Sequence, residues 1–322
     1  MSLTQRERSV TALAGGVGGA KLAQGLADVL APSSLSIIVN TADDFDLWGL
    51  RICPDLDTVM YTLAGLANPA TGWGIAGDTH ATLDAIARFG TETWFQLGDR
   101  DFATQILRTE ALRSGETLTG VMSTLAKGLG VSSSILPMTD DPVSTMIHTR
   151  DTVLAFQDYF VRRRQVDTVT GVSFAGIEKA SPSAAALAAI SSAEVIVFCP
   201  SNPLVSIGPI LALPGVQDRI RDASALRIGV SPIVGGKAIK GPADRMLHSL
   251  GHESSAYGVA LMYADILDVF VIDTRDAADR DRIEALGMRV VITDAVMGDR
   301  DGRARLATDM LHAADMARES VS

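Results

Sequence analysis

The chain has 322 residues, enough to bury a large core without disulfide stapling. Hydrophobic residues make up 47% and charged residues 20%, the balance of a globular domain rather than of a disordered or membrane-embedded chain. A formal net charge of −10 works against binding a nucleic-acid backbone, and the two cysteines, Cys53 and Cys199, offer neither a disulfide framework nor zinc-binding spacing.

In chain order, residues 9–14 read as an apolar strand, residues 15–19 as a glycine-rich turn, and residues 20–30 as a helix with Leu22, Leu26, Val29 and Leu30 on one face. Residues 35–39 form the next strand, and right-handed crossover places the two strands parallel in one sheet. Residues 58–130 are mostly helical, punctuated by Gly72, Gly74, Gly77 and Gly98, with one amphipathic helix at 117–129. β-Branched runs at 143–149, 152–156 and 168–174, broken by a basic helix ending in Arg162, Arg163 and Arg164, predict a small α+β insertion. Strand signals then recur at 194–198, 226–230, 268–273 and 289–293, separated by helical stretches. The pattern predicts a doubly wound, Rossmann-like three-layer α/β/α fold with a small inserted subdomain. The expected boundaries are 1–135 and 177–322 for the core and 136–176 for the insertion, with a polar tail fraying after about Met316. The start, MSLTQRERSV, lacks an apolar h-region, and no run of about 18 apolar residues occurs, so a cytoplasmic protein without a membrane partner is expected.

Three strand ends carry polar, glycine- or proline-shaped loops. Gly15-Gly16-Val17-Gly18-Gly19-Ala20-Lys21 lies between a strand and a helix, where bare backbone N–H groups can meet a phosphate. It is neither GxGxxG nor a Walker A loop, so ordinary dehydrogenase and ATPase chemistry loses support, and a turn kept only for close helix-strand packing is the alternative. Asp43 and Asp44 follow the second strand as adjacent acids whose repulsion a cation or a donor-rich ligand would relieve. In Pro54-Asp55-Leu56-Asp57, Asp57 precedes an apolar helical run and on its own reads as an N-cap. Gly98-Asp99-Arg100-Asp101 and Thr139-Asp140-Asp141 are acid-rich turns open to capping, ion pairing or metal ligation. Ser201-Asn202-Pro203, Ser206-Ile207-Gly208-Pro209 and Ser231-Pro232 complete the set of ligand-ready loops, whereas the five histidines show no metal-site spacing.

Together AGGVGGAKL, NTADDF, PDLDTVMY, GDRDFATQILR, LPMTDDPVSTMI, PSNPLVSIGPIL, SPIVGGKAIKGPA and DVFVID resemble the 2-phospho-L-lactate transferase family of coenzyme F-420 biosynthesis, over residues 11–273. The resemblance implies transfer of a phospholactyl or related phospho-acid group, such as phosphoenolpyruvyl or 3-phosphoglyceryl. The donor would be a guanosine diphospho-acid and the acceptor the ribityl hydroxyl of the deazaflavin FO, with GMP released and magnesium required. By motif, Asp57 would contact the FO hydroxyl and the metal, with help from Asp43 or Asp44, and Asp57 and Asp43 would be the catalytic acids. Asp99 and the position before LGDRD, here Gln96 where the family carries a basic residue, would touch FO. Gly15, Gly16, Val17, Gly18, Gly19 and Lys21 would hold the donor phosphates, and Ser201, Asn202, Ser206 and Gly208 the rest of the donor nucleotide. A related family with a similar glycine-rich start, serving regulation and binding nucleotide-sugars without turnover, is the alternative reading. Partners are thus small molecules, with a homodimer allowed.

Overall fold

The computed structural model describes residues 7–319, so the reading of the N-terminal segment falls largely outside the described residues. Strand β1 (Val10–Ala14) is buried on both faces, with Ala12 and Ala14 turned to one core layer and Leu13 to the other. Its neighbour β2 (Leu35–Val39) pairs with it in parallel, Val10 opposite Leu35 and Ala14 opposite Val39. Five more strands complete the sheet: β3 (Ser134–Pro137), β4 (Val195–Phe198), β5 (Leu226–Val230), β6 (Val269–Asp273) and β7 (Arg289–Thr293). The spatial order is β7-β6-β5-β4-β1-β2-β3 and every pairing is parallel. The chain leaves β1 in one direction and returns through β4 on its other side, so β1 and β4 flank the switch point where open α/β sheets bind ligands.

Helices α1 (Val17–Val29), α2 (Pro54–Leu63) and α5 (Leu118–Gly128), with the C-terminal helix Arg300–Glu319, cover one face of the sheet. Helix Ala184–Ser192 and short helices at Gly208–Ala212, Val216–Asp222, Ala243–Ser249, Ala256–Met262 and Arg280–Glu284 cover the other. The C-terminal helix continues past Met316, where a frayed tail was expected. A Cβ on Gly25 of α1 would lie 2.2 Å from the Arg303 carbonyl oxygen, so the small residue sets how closely these two helices approach. Between β2 and β3 the chain makes a long excursion: a hairpin (Phe45–Leu47 with Leu50–Ile52), α2, α3 (Ala81–Arg88), α4 (Asp99–Arg113) and α5. Strand β3 belongs to the main sheet and straddles the expected 135/136 boundary. Beyond it a three-stranded antiparallel sheet, Ser144–Thr149 between Val153–Ala155 and Val169–Ala175, packs Ile147, Phe156 and Tyr159 against Val205 and Met246.

Candidate active site

The loops after β1, β2, β4 and β5 open onto one cleft of about 460 Å³. Helix α1 begins at Val17, inside the expected glycine turn, with Gly16 as its N-cap residue, and the bare glycines let other chain segments crowd in. A Cβ on Gly18 would lie 2.3 Å from the Pro200 carbonyl oxygen, and one on Gly16 2.7 Å from Asp55 Oδ1. The packing role of these glycines is therefore real. The Gly15 N–H is already used, donating to Ser201 Oγ at 3.1 Å. What faces the cleft is Gly16, Val17 and Gly18 at the start of α1, which no side chain caps, with Lys21 one turn on. Unpaired amides at the positive end of a helix dipole attract anions. Burial lowers the Lys21 pKa, and the nearby Arg303 and Lys240 charges lower it further, so an anion that neutralises this cationic group would be favoured.

Asn40, at the end of β2, ties the acidic floor together. Its Nδ2 donates to Asp55 Oδ2 at 3.1 Å and to the Val205 carbonyl at 3.3 Å, while its Oδ1 accepts the Ala42 N–H at 2.9 Å. Asp43 and Asp44 part company here. Asp43 lines the cleft beside Asp55, and burial, then the Asp55 charge, raises its pKa well above the carboxylate range. Burial lifts Asp55 to about 6, against the Asn40 hydrogen bond. Asp44 is outside the cleft lining, 3.8 Å from Arg51 Nη2, and burial raises it to about 7 despite that arginine. The charge facing Asp43 across the cleft floor thus comes chiefly from Asp55, twelve residues on, and less from its neighbour in sequence.

Asp57 is not a cap. Cys53 is the N-cap residue of α2 and Pro54 opens the helix, which carries Asp57 inward to near-complete burial. There it meets Arg108 of α4, the largest fully buried side chain. Arg108 Nη2 donates to Asp57 Oδ1 in a very short contact and Nη1 donates to Oδ2 at 3.2 Å, a bidentate pair. Gln105 Nε2 donates to Asp57 Oδ2 and to Asp101 Oδ1, both at 2.8 Å, and Gln105 Oε1 accepts from Arg108 Nη1 at 2.6 Å. The Tyr61 hydroxyl donates to Asp101 Oδ1 at 2.8 Å. Burial, then the Asp57 charge, lifts Asp101 to about 6.

Of the residues singled out from sequence, Asp43, Asp57, Gln96, Gly16, Val17, Gly18, Lys21, Ser201, Asn202 and Ser206 share this cleft. Gly15, Gly19, Asp44, Asp99 and Gly208 stand back from it. Asp99 is turned to cap α3, accepting the Ala81 and Thr82 N–H groups at 3.0 and 2.8 Å. Gly208 belongs to a helical stretch rather than a loop, because Asn202 caps the turn Pro203–Ile207 and the chain runs straight into Gly208–Ala212. The sequence reading missed Asp55, Tyr61, Gln105 and Arg108 as site residues and left Asp101 undecided. The available signal was a polar stripe at helical spacing, Asp101, Gln105 and Arg108, on one face of a helix.

Among the described residues no three His, Cys, Asp or Glu side chains converge as a metal cage. Two acids do suit a cation. Asp43 Oδ1 is buried without a well-formed hydrogen bond, and Asp43 and Asp55 raise each other's cost of ionisation. Asp57 suits one less, since Arg108 and Gln105 already occupy both of its oxygens. The cleft lining also includes the aromatic residues Tyr61, Trp73, Phe95, Phe156 and Phe160, the last two stacked at 5.3 Å.

The fold and cleft define a Rossmann-like α/β/α protein that presents a helix N-terminus, a lysine and buried acids at the carboxyl edge of its sheet. The chain belongs to the family described as 2-phospho-L-lactate transferase CofD, which it matches over residues 10–311, a family of phospho-acid transferases serving coenzyme F-420 biosynthesis. It is 41% identical over 315 residues to the phosphoenolpyruvate transferase of Streptomyces griseus, covering 96% of this chain and 99% of the relative. It is 40% identical over 299 residues to the 2-phospho-L-lactate transferase of Methanosarcina mazei, covering 93% and 98%. A Bacillus halodurans protein of the UPF0052 family shares the fold with a TM-score of 0.64 at 15% identity, over 95% of this chain and 99% of that one. No helix among the described residues is long and apolar enough to cross a membrane.

Proposed function

We propose that the cleft transfers a phospho-acid group from a guanosine diphospho-acid donor to the ribityl hydroxyl of the deazaflavin FO, releasing GMP. The observation that carries this reading is the make-up of the cleft. An uncapped helix start with Lys21, aromatic side chains suited to a flat ring system and the buried carboxylate of Asp57 line the same cavity. Gly16, Val17, Gly18 and Lys21 would take the donor's diphosphate, with Ser201, Asn202 and Ser206 beside it; Gln96 and the aromatic residues would take FO. Such a transfer is mainly a matter of holding oxygen and phosphorus in line while charge is neutralised. Asp43 and Asp55 would hold magnesium, which when bound supplies positive charge next to the diphosphate. Asp57, clamped by Arg108, would orient the attacking hydroxyl.

Near-equal identity to a phosphoenolpyruvate transferase and a 2-phospho-L-lactate transferase gives both acids a place in the assay. The full chain, FO and magnesium are incubated with guanosine diphospho-donors carrying lactate, enolpyruvate or glycerate, and product mass and GMP are followed. One donor should yield a phospho-acid adduct of FO with stoichiometric GMP. Unchanged FO with all three, together with tight binding of a nucleotide-sugar, would move the protein to the regulatory reading.

A further inference from the structure

The reaction proposed above needs a group to take the hydroxyl proton of the acceptor, and two carboxylates of the cleft are placed for it in different ways. Asp57 has both oxygens filled by three donor contacts, two from Arg108 and one from Gln105, and the buried Arg108 guanidinium is its counter-charge. Asp101 is built differently. Its Oδ1 takes two hydrogen bonds, from Tyr61 and Gln105, which fix the rotation of the carboxyl group. Its Oδ2 receives no hydrogen bond from the described residues, and the side chain lines the cleft.

We propose that Asp101, rather than Asp57, is the proton acceptor of the transfer. This rests on the reading that an alcohol attacks the donor's phosphorus. In the step, the hydroxyl O–H bond breaks and its proton passes to Asp101 Oδ2. The freed oxygen pair forms the new O–P bond, and the P–O bond to the departing nucleotide phosphate breaks with its electron pair leaving on GMP. Tyr61 and Gln105 are positioning residues that hold the carboxyl edge toward the acceptor.

The surroundings suit a base. The groups facing Asp101 are Asp57 and Tyr61 from α2 and Gln105 and Arg108 along α4, while the Asp78 carboxylate accepts the Asp101 backbone N–H at 3.2 Å. Burial and the Asp57 charge raise Asp101, and the Tyr61 and Gln105 hydrogen bonds and the Arg108 charge lower it, leaving it ionised near neutrality but more basic than a free carboxylate.

The test is the pH dependence of kcat/KM for FO from pH 5 to 8.5, followed by GMP release, in the full chain with the productive donor and with magnesium raised at each pH until the rate no longer depends on it, so that protonation of Asp43 and Asp55 does not set the limb. The wild type should lose rate on the acid side with a single limb. Asp101→Asn should lower kcat by about 10²-fold or more, erase that limb and leave the KM for FO within about threefold. Asp57→Asn, though slower, should keep the limb. Tyr61→Phe, which deletes one hydroxyl and keeps the carboxylate, should move the limb to higher pH by about 0.5 to 1 unit, because it removes a donor that favours the charged form. It also answers the question if Asp101→Asn does not fold. The proposal is overturned by a wild type without an acid limb, by Asp101→Asn within threefold of wild-type rate, or by Tyr61→Phe with an unmoved limb. A wild type that forms no adduct with any donor at any pH defeats the functional reading itself, which separates the two failures.

Discussion

Replacing Arg108 with methionine tests how the site is held together. Methionine keeps most of the volume and the apolar stem while deleting the guanidinium. The Arg108 side chain is 0% exposed and that of Asp57 8%, so the carboxylate left behind has little water to turn to. Removing one partner of a buried ion pair costs about 3–5 kcal/mol, and Gln105 Oε1 loses its 2.6 Å donor as well. We expect Arg108→Met to lower unfolding stability by about 4 kcal/mol, which for a chain of this size lowers Tm by roughly 6 °C. Asp57→Asn, leaving the arginine buried against a neutral amide, should cost about 3 kcal/mol. The double variant removes both charges, so its cost should fall short of the sum of the singles by about 3 kcal/mol. Urea unfolding followed by tryptophan fluorescence and far-UV circular dichroism measures all four proteins. A cost below about 1 kcal/mol for Arg108→Met, or strict additivity in the double variant, would refute the claim that these groups form one buried unit.

Two other perturbations probe the acidic floor and the helix packing. Burial raises Asp43 and Asp55, so the folded chain binds more protons than the unfolded one between the ordinary carboxylate range and about pH 6, and stability falls as pH climbs through that window. The loss from Asp55 is at most about 3 kcal/mol, less because its side chain keeps partial access to the cleft. Magnesium should therefore raise Tm clearly at pH 7.5 and hardly at pH 5 in differential scanning fluorimetry; an equal rise at both, or one that survives Asp43→Asn, would contradict the assignment. Gly25→Ala should destabilise by about 1–3 kcal/mol although alanine is the better helix former, because its methyl group would collide with the Arg303 carbonyl. A neutral or stabilising result in thermal melts would show that the two helices can separate without cost.

The central strands were legible because each is a run of branched apolar residues in a chain otherwise built from helices, and Val10–Ala14, Leu35–Val39, Leu226–Val230 and Arg289–Thr293 fall where periodicity puts them. Strand β3 was missed. Its four residues, Ser-Ile-Leu-Pro, follow a serine-rich stretch and end in proline, tolerable only because the strand is at the edge of the sheet and pairs on one side. The start of α1 was placed late because glycine reads as a turn by propensity, whereas here tertiary crowding demands glycine inside the first helical turn.

Within the site, Asp43, Asp57 and Lys21 were legible as chemistry-bearing residues beside strand ends. Arg108 was not, since charged residues on a helix normally read as a solvated face and nothing local announces a buried partner 51 positions earlier. Asp99 misled for the opposite reason: an acid at a glycine turn looks the same in sequence whether it meets a ligand or caps the next helix, and here α3 claims it.

The geometry also separates two tasks between two parts of the chain. Gly16, Val17, Gly18 and Lys21 follow β1, and Ser201 and Asn202 follow β4, so the proposed donor end is built by the sheet that every doubly wound fold shares. Asp57, Tyr61, Phe95, Gln96 and Asp101 come from the excursion between β2 and β3, and Phe156 and Phe160 from beside the inserted sheet, so the proposed acceptor end lies on added elements. Ligand sites recur at the carboxyl edge of such sheets because backbone geometry creates them there, whereas added elements are shaped only by their own packing. It follows that substitutions around Phe95 and Phe160 should alter which ring system is accepted while leaving donor affinity near its original value. Coupling between the two ends should instead pass through α2, the one helix that carries both Asp55, in contact with the Asn40 anchor, and Asp57, held by Arg108.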